Sequence, residues 1–256
     1  MISVLAFDIE TIPDVAGIRR LHDLPADLLD REVAEIAFQR RRTQIGSDFL
    51  PPQLHKVVVI SCVLRNDEGV KVFSLEGQEA EIIQRFYEGI EKFVPQLVSW
   101  NGGGFDLPVL NYRALIHGAT APLFWETGDE NRDFRFNNYL SRYHSRHLDL
   151  MDVLAMYQPR NNAPLDEVAR LAGLPGKIGI GGARVWETWL AGDIAKIRDY
   201  CEADTANTYL LYLRYQLLRG VFSKDSYKKE IQLLRNCLQD QNKPHWREFL
   251  KLWNEA

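Results

Sequence analysis

The chain has 256 residues, 46% hydrophobic and 26% charged, which supplies a sizeable core and excludes a disordered segment. Its formal charge of −4 argues against a broad duplex-binding face, which shows as a basic excess, but leaves room for a narrow nucleic-acid groove.

In chain order, Ile2 to Ile9 is an apolar run that reads as a strand buried on both faces, and Pro13 breaks it. A polar insertion, 14–53, follows. Within it, residues 26–42 read as a helix with Leu28, Leu29, Val33, Ile36 and Ala37 near one face, closed by Arg40-Arg41-Arg42. Val57 to Leu64 and Val70 to Leu75, joined by Asn66-Asp67-Glu68-Gly69, carry a hairpin signal. Residues 79–93 read as an amphipathic helix, Leu97 to Trp100 as a short strand, and Leu107 to His117 as a helix. Residues 122–147 are irregular, and His147 to Val153 can hold a last short strand, with Asp149 and Asp152 as turn or cap residues. Pro164 to Leu171 suggests a short helix, followed by the glycine-rich stretch Gly173 to Gly182. A long helix opens at the N-cap Asp193 and stops at Gly220, and two more helices, about 224–239 and 244–254, finish the chain. In the last of these, Trp246, Phe249, Leu250 and Trp253 share a face that docks on its own domain or makes a homodimer contact. Without repeats or linkers, 1–256 reads as one domain, with a core of about 1–222 and a helical extension of about 223–256.

Three segments place acids where a fold normally avoids them: Phe7-Asp8-Ile9-Glu10-Thr11, Trp100-Asn101-Gly102-Gly103-Gly104-Phe105-Asp106 and Tyr200-Cys201-Glu202-Ala203-Asp204. A strand repeats every two residues, so Asp8 and Glu10 project from one face, roughly 7 Å apart. Like charges that close in an apolar setting repel unless cations compensate, and Mg²⁺ or Mn²⁺ prefers carboxylate oxygens. Three glycines let the backbone turn tightly before Asp106, which as an isolated residue would be an N-cap. Tyr200 and Asp204 lie one helical turn apart on one face.

Together, in this order, the segments resemble the DEDD superfamily of 3′–5′ exonucleases in its tyrosine branch, and within it the proofreading domain of family-B DNA polymerases and its stand-alone relatives. Asp8 and Glu10 match the first motif, Asn101 and Phe105-Asp106 the second, and Tyr200 and Asp204 the third, over about residues 1–220. The resemblance implies a ribonuclease-H-like α/β fold, with a central five-stranded mixed sheet flanked by helices. It also implies two divalent cations, Mg²⁺ or Mn²⁺, that activate water and stabilise the leaving 3′-oxygen. Asp8 would be shared by both. Glu10 and Asp204 would complete the site of the ion holding the nucleophile, and Asp106 would serve the other. Tyr200 would orient the water, and Asn101 and Phe105 would steady the terminal nucleotides by hydrogen bonding and stacking. Lys177, at a spacing upstream of Tyr200 similar to that of a phosphate-contacting lysine in the family, would stabilise charge on the phosphate. The implied substrate is the 3′ end of single-stranded nucleic acid, DNA rather than RNA, released as 5′-mononucleotides.

The likeness does not extend to the insertion 14–53 or to the tail after 222, and the chain has no room for a polymerase domain. Arg132, Arg135, Tyr139, Arg142, Tyr143 and Arg146 form an aromatic and basic stretch that could line a strand path. Two rival readings are a catalytically silent binding module on the same fold and a phosphatase of the haloacid dehalogenase type. The first has no use for four clustered acids. The second needs an aspartate where Glu10 stands and leaves Tyr200 without a purpose. Cys62, Cys201 and Cys237 are too widely spaced for a metal-binding pair and read as reduced thiols of an intracellular protein. No apolar run reaches the length of a membrane span, and a strand starting at Ile2 leaves no room for a signal peptide, so the sequence reads as cytoplasmic.

Overall fold

Alternation along the first strand decides the architecture. A computed structural model describes residues 3–253, so the predicted start at Ile2 lies outside the described residues. Strand β1 (Val4–Pro13) runs past the predicted end at Ile9 and pairs antiparallel with β2 (His55–Asn66), which pairs antiparallel with β3 (Gly69–Leu75). On its other side β1 pairs parallel with β4 (Gln96–Ser99), and β4 pairs parallel with β5 (His147–Asp149). The five-stranded mixed sheet therefore has the order β3-β2-β1-β4-β5, with β1 at its centre.

The helices are α1 (Val15–Leu21), α2 (Asp30–Ile45), α3 (Glu79–Phe93), α4 (Asp106–His117) and α5 (Leu150–Leu154). They continue as α6 (Leu165–Leu171), α7 (Val185–Leu190), α8 (Ile194–Leu218), α9 (Lys224–Gln241) and α10 (Pro244–Leu252). The insertion holds two helices where the sequence predicts one, and α2 begins and ends later than 26–42. The short α1 shows no periodic stripe. Only Ile18 is buried, against Val33, Ala37 and Leu50 of its own small cluster. Helix α7 hides in the same way after the glycine-rich stretch.

The two faces of β1 bury different layers. Leu5, Phe7 and Ile9 pack with Ile82, Ile83 and Phe86 of α3 and with Val109 and Leu110 of α4. Val4 and Ala6 face the other way, toward Ala203, Ala206 and Leu210 of α8. A period of two then carries Asp8 and Glu10 onto the α8 side. Regular pairing with β2 shifts between Glu10 and Thr11, so a bulge bends the strand just beyond the acids.

The C-terminal helices close the α8 layer. Trp246 and Phe249 are fully buried and Trp253 is 6% exposed, all in one core with Leu210 and Leu234. A homodimer contact through that aromatic face is thus corrected, because its rings are already taken up by the chain's own core. Trp253 also lies just past the end of α10, as its C-cap. Glu202, 1% exposed on α8, accepts hydrogen bonds from Ser74 Oγ (2.9 Å), Lys243 Nζ (2.8 Å) and His245 Nε2 (2.8 Å), fastening the tail to that helix.

Candidate active site

The four acids reach the site from three elements. Asp8 and Glu10 stand on β1. Beyond Ala6 the β4 edge of β1 is open, since β4 pairs only with Val4, Leu5 and Ala6. Asp106 fills that edge, where its Oδ1 accepts from the Ile9 backbone N–H at 3.2 Å. The carboxylate is therefore a bridge to β1, and Phe105 takes the N-cap position instead. The approach requires the glycine loop. A Cβ on Gly102 would overlap the buried Ser99 side chain. Asp149, 7% exposed, braces the same loop, with Oδ1 accepting from Asn101 N and Oδ2 from Gly103 N, each at 2.9 Å. The sequence suggests a cap role for Asp149, which it also fills, accepting from Asp152 N.

The α8 wall supplies the rest. Tyr200 and Asp204 are buried one turn apart, and Cys201 between them points at β1, its Sγ 3.7 Å from Asp8 Oδ2. Asp8, Glu10 and Cys201 each offer an atom within 4.8 Å of the others. Lys177 joins this group. Its Nζ donates to Tyr200 Oη at 2.7 Å and lies 3.5 Å from Asp204 Oδ2. Its loop is pinned from both sides, by Asp166 Oδ1 accepting from Lys177 N (2.7 Å) and by Asn207 bonding both N and O of Gly176. Gly176 has φ +71°, and a Cβ there would strike Asp166 and Arg170, so this turn requires glycine.

Asp8, Glu10, Asp106, Lys177, Tyr200 and Asp204 line one groove of about 830 Å³. Asn101 and Phe105 also reach it, Asn101 in a left-handed conformation with φ +66°. None of the basic and aromatic residues between 132 and 146 lines it. Tyr139 is buried and donates to Pro95 O at 2.7 Å, and Arg142 is paired with Asp152. Arg146 stacks 3.7 Å from the centroid of the buried Phe134 ring. Tyr139, Arg142 and Arg146 of that stretch are thus engaged within the fold.

The electrostatics are those of a site short of positive charge. Desolvation, then the charges of Asp106 and Asp204, push the Asp8 carboxyl well up; desolvation, then Asp8 and Asp204, do the same to Glu10. Burial raises Asp106 to about 7 and Asp204 to about 6, the latter against the pull of Lys177. Asp204 Oδ1 is buried with no hydrogen-bond partner among the described residues. Carboxylate oxygens, mutual repulsion and an orphaned acceptor together suit hard divalent cations. A second group, Asp199, Glu202 and His245, is as tightly placed, but Lys243 already neutralises Glu202.

One expectation follows for metal-free protein. Both Asp106 and Asp204 bind protons more tightly folded than unfolded, where carboxyls titrate near 4. Their contribution to stability therefore falls as pH rises from about 4 to about 7. Asp106→Asn should accordingly raise the melting temperature in chelator at pH 8, with the gain shrinking toward pH 5. An equal gain at both pH values would exclude this account.

The sheet order, the flanking helices and the acids converging beside β1 define a ribonuclease-H-like fold of the polymerase exonuclease kind. Residues 47–253 match the family described as "Predicted 3'-5' exonuclease related to the exonuclease domain of PolB", and the chain belongs to that family. The match runs through α9 and α10, correcting the expectation that the likeness ends near 220. It begins after β1, so Asp8 and Glu10 enter the site through geometry alone. The chain is 27% identical over 163 residues to a DNA polymerase of Archaeoglobus fulgidus, covering 62% of this chain and 20% of the polymerase. Its fold is similar to the family B DNA polymerase of the hyperthermophilic archaeon Pyrobaculum calidifontis. That likeness has a TM-score of 0.53 at 20% identity, over 85% of this chain and 25% of that one. The chain thus spans about a fifth to a quarter of the length of these relatives. Among the described residues no helix is long and apolar enough to cross a membrane.

Proposed function

We propose that the protein is a metal-dependent 3′–5′ exonuclease that hydrolyses single-stranded nucleic acid from its 3′ end, DNA in preference to RNA, releasing 5′-mononucleotides. One observation carries the reading. Asp8, Glu10, Asp106 and Asp204 arrive from three segments at one groove and leave a buried carboxylate oxygen without a partner.

Asp8, Glu10, Asp106 and Asp204 would hold two divalent cations, Mg²⁺ or Mn²⁺. When bound, such ions neutralise the scissile phosphate, lower the pKa of a water and stabilise the leaving oxygen. The remaining steps belong to the chain. Tyr200 is pushed far above its ordinary range by burial and then by the charges of Asp204, Glu10 and Asp8, so at neutral pH its hydroxyl keeps its proton. It acts as a donor that orients the attacking water. Lys177 donates to Tyr200 Oη, which fixes the direction of the hydroxyl proton and sets a cation beside the phosphate position. Asn101 would hold the terminal nucleotide by hydrogen bonding. Cys201, pushed well up by burial and then by Asp8 and Glu10, stays a neutral thiol that donates to Asp8.

Tyr200→Phe should slow turnover about 10- to 100-fold, the cost of a mispositioned nucleophile, while calorimetric Mn²⁺ affinity stays within about threefold. Loss of metal binding in that variant would mean the phenol holds the metal site together and its role is misassigned. The burial of α9 and α10 against α8 supports treating the chain as one working unit.

A further inference from the structure

The groove has a second wall, built by the insertion, to which none of the three motifs belongs. Arg31 and Phe38 of α2 and Phe49 beyond it face the acids across the opening. Phe49 is 57% exposed, beside Leu50 at 2%. The ring expected from the motifs to stack on substrate, Phe105, reaches the groove half-buried, with other rings packed against it. It meets His55 edge-on at 4.9 Å and Phe49 at 5.2 Å, while Phe49 and His55 are 5.3 Å apart. The three rings form a cluster whose exposed member is Phe49.

That member is firmly held. Its carbonyl accepts from Arg41 Nε at 3.1 Å, and its N–H donates to Ser47 Oγ at 3.2 Å. The next residue is anchored in turn, since His55 Nε2 donates to Leu50 O at 3.0 Å. His55 Nδ1 then accepts from Thr11 Oγ1 at 2.8 Å, which ties the ring cluster to β1 one residue from Glu10. An exposed aromatic ring fixed at the mouth of a charged groove gains nothing from water, and it presents a flat face to whatever enters. Arg31 lines the same groove and forms no ion pair among the described residues, so the groove offers both a cation and a π-surface. Those two groups match a nucleotide, an anionic phosphate attached to an aromatic base.

We propose that Phe49 is a base-stacking platform of this groove, taking the base of one of the last two nucleotides at the 3′ end. The assignment rests on the nuclease reading above. It moves the stacking surface from the motif residue Phe105 to the insertion, and gives Phe105 the task of supporting Phe49 from behind.

The test is a cycle of two changes. Wild type and Phe49→Ala are compared on an oligothymidylate and on the same strand with its last two residues abasic, each with Mn²⁺ and with Mg²⁺. Stacking is worth about 1–3 kcal/mol per base, so Phe49→Ala should raise KM on the base-bearing strand about 5- to 150-fold with little change in kcat. On the abasic end that penalty should shrink to within about threefold, and Phe49→Trp should restore the base-bearing KM. A penalty equal on both strands would make Phe49 a support for the site and overturn the proposal, as would no penalty on either. If wild type shortens neither strand with either metal, the nuclease reading itself fails and this inference with it. That outcome is distinct from an active wild type indifferent to Phe49.

Discussion

Asp8→Ala should reduce metal-dependent shortening of a 3′-exposed oligonucleotide to below about a thousandth of wild type, and should at the same time stabilise the metal-free fold. The two effects have one cause. The Asp8 carboxyl is pushed up by desolvation and then by Asp106 and Asp204, and its own charge in turn raises Glu10. Without cations the position is a liability, and removing it relieves Asp106 and Asp204. With cations it would be one of their ligands. A gel assay with Mg²⁺ or Mn²⁺ beside a thermal melt in chelator reads both. Retained activity would rule out the assigned site, and a lower melting temperature in chelator would show that Asp8 supports the fold.

The largest loss of stability should come from a residue outside the site. Arg113 on α4 is 3% exposed and forms a two-point contact with Glu79, its Nε 2.7 Å from Oε1, together with an ion pair to Asp14. Asp14 is the N-cap of α1, accepting from Gly17 N, and its own N–H donates to Leu54 O at 2.8 Å. Arg113 therefore clamps both ends of the insertion to α3 and α4. Arg113→Ala leaves two carboxylates buried without their cation, which costs about 3–5 kcal/mol. Urea unfolding should show the midpoint fall with an unchanged slope. A loss under about 1 kcal/mol would mean that water or His117, whose Nε2 is 2.7 Å from Glu79 Oε2, replaces the guanidinium.

What the sequence shows and what it hides divide along the distance over which each signal acts. Alternation in β1, the hairpin turn, the amphipathic α3 and the N-cap Asp193 are local, and the helix 79–93 is found with its bounds intact. The central place of β1 and the parallel β4 follow from one apolar strand and a glycine loop. The acids of the three motifs were visible because a carboxylate at the end of a buried strand contradicts its surroundings. Cys201 had no such contrast: a cysteine in a buried helix is ordinary, and only α8 lying against β1 turns its thiol toward Asp8. Phe49 was hidden for the same reason. It follows a polar stretch with no periodicity, and its partners His55 and Phe105 reach it only through the fold. The bridge from Asp106 to Ile9 likewise depends on where β4 stops, which neither segment records by itself.

The contact between Cys201 and Asp8 joins residues 193 positions apart. Pairings that distant form slowly, after the local helices and the hairpin, because the intervening chain must be closed into a loop first. During synthesis the first strand, with its two acids, leaves the ribosome long before α8 exists to complete the site. A chain interrupted before α8 carries the acids of β1 and Asp106 without Tyr200 and Asp204. The degradative chemistry proposed for this protein would therefore wait until α8 has been made, a safeguard set by chain order alone.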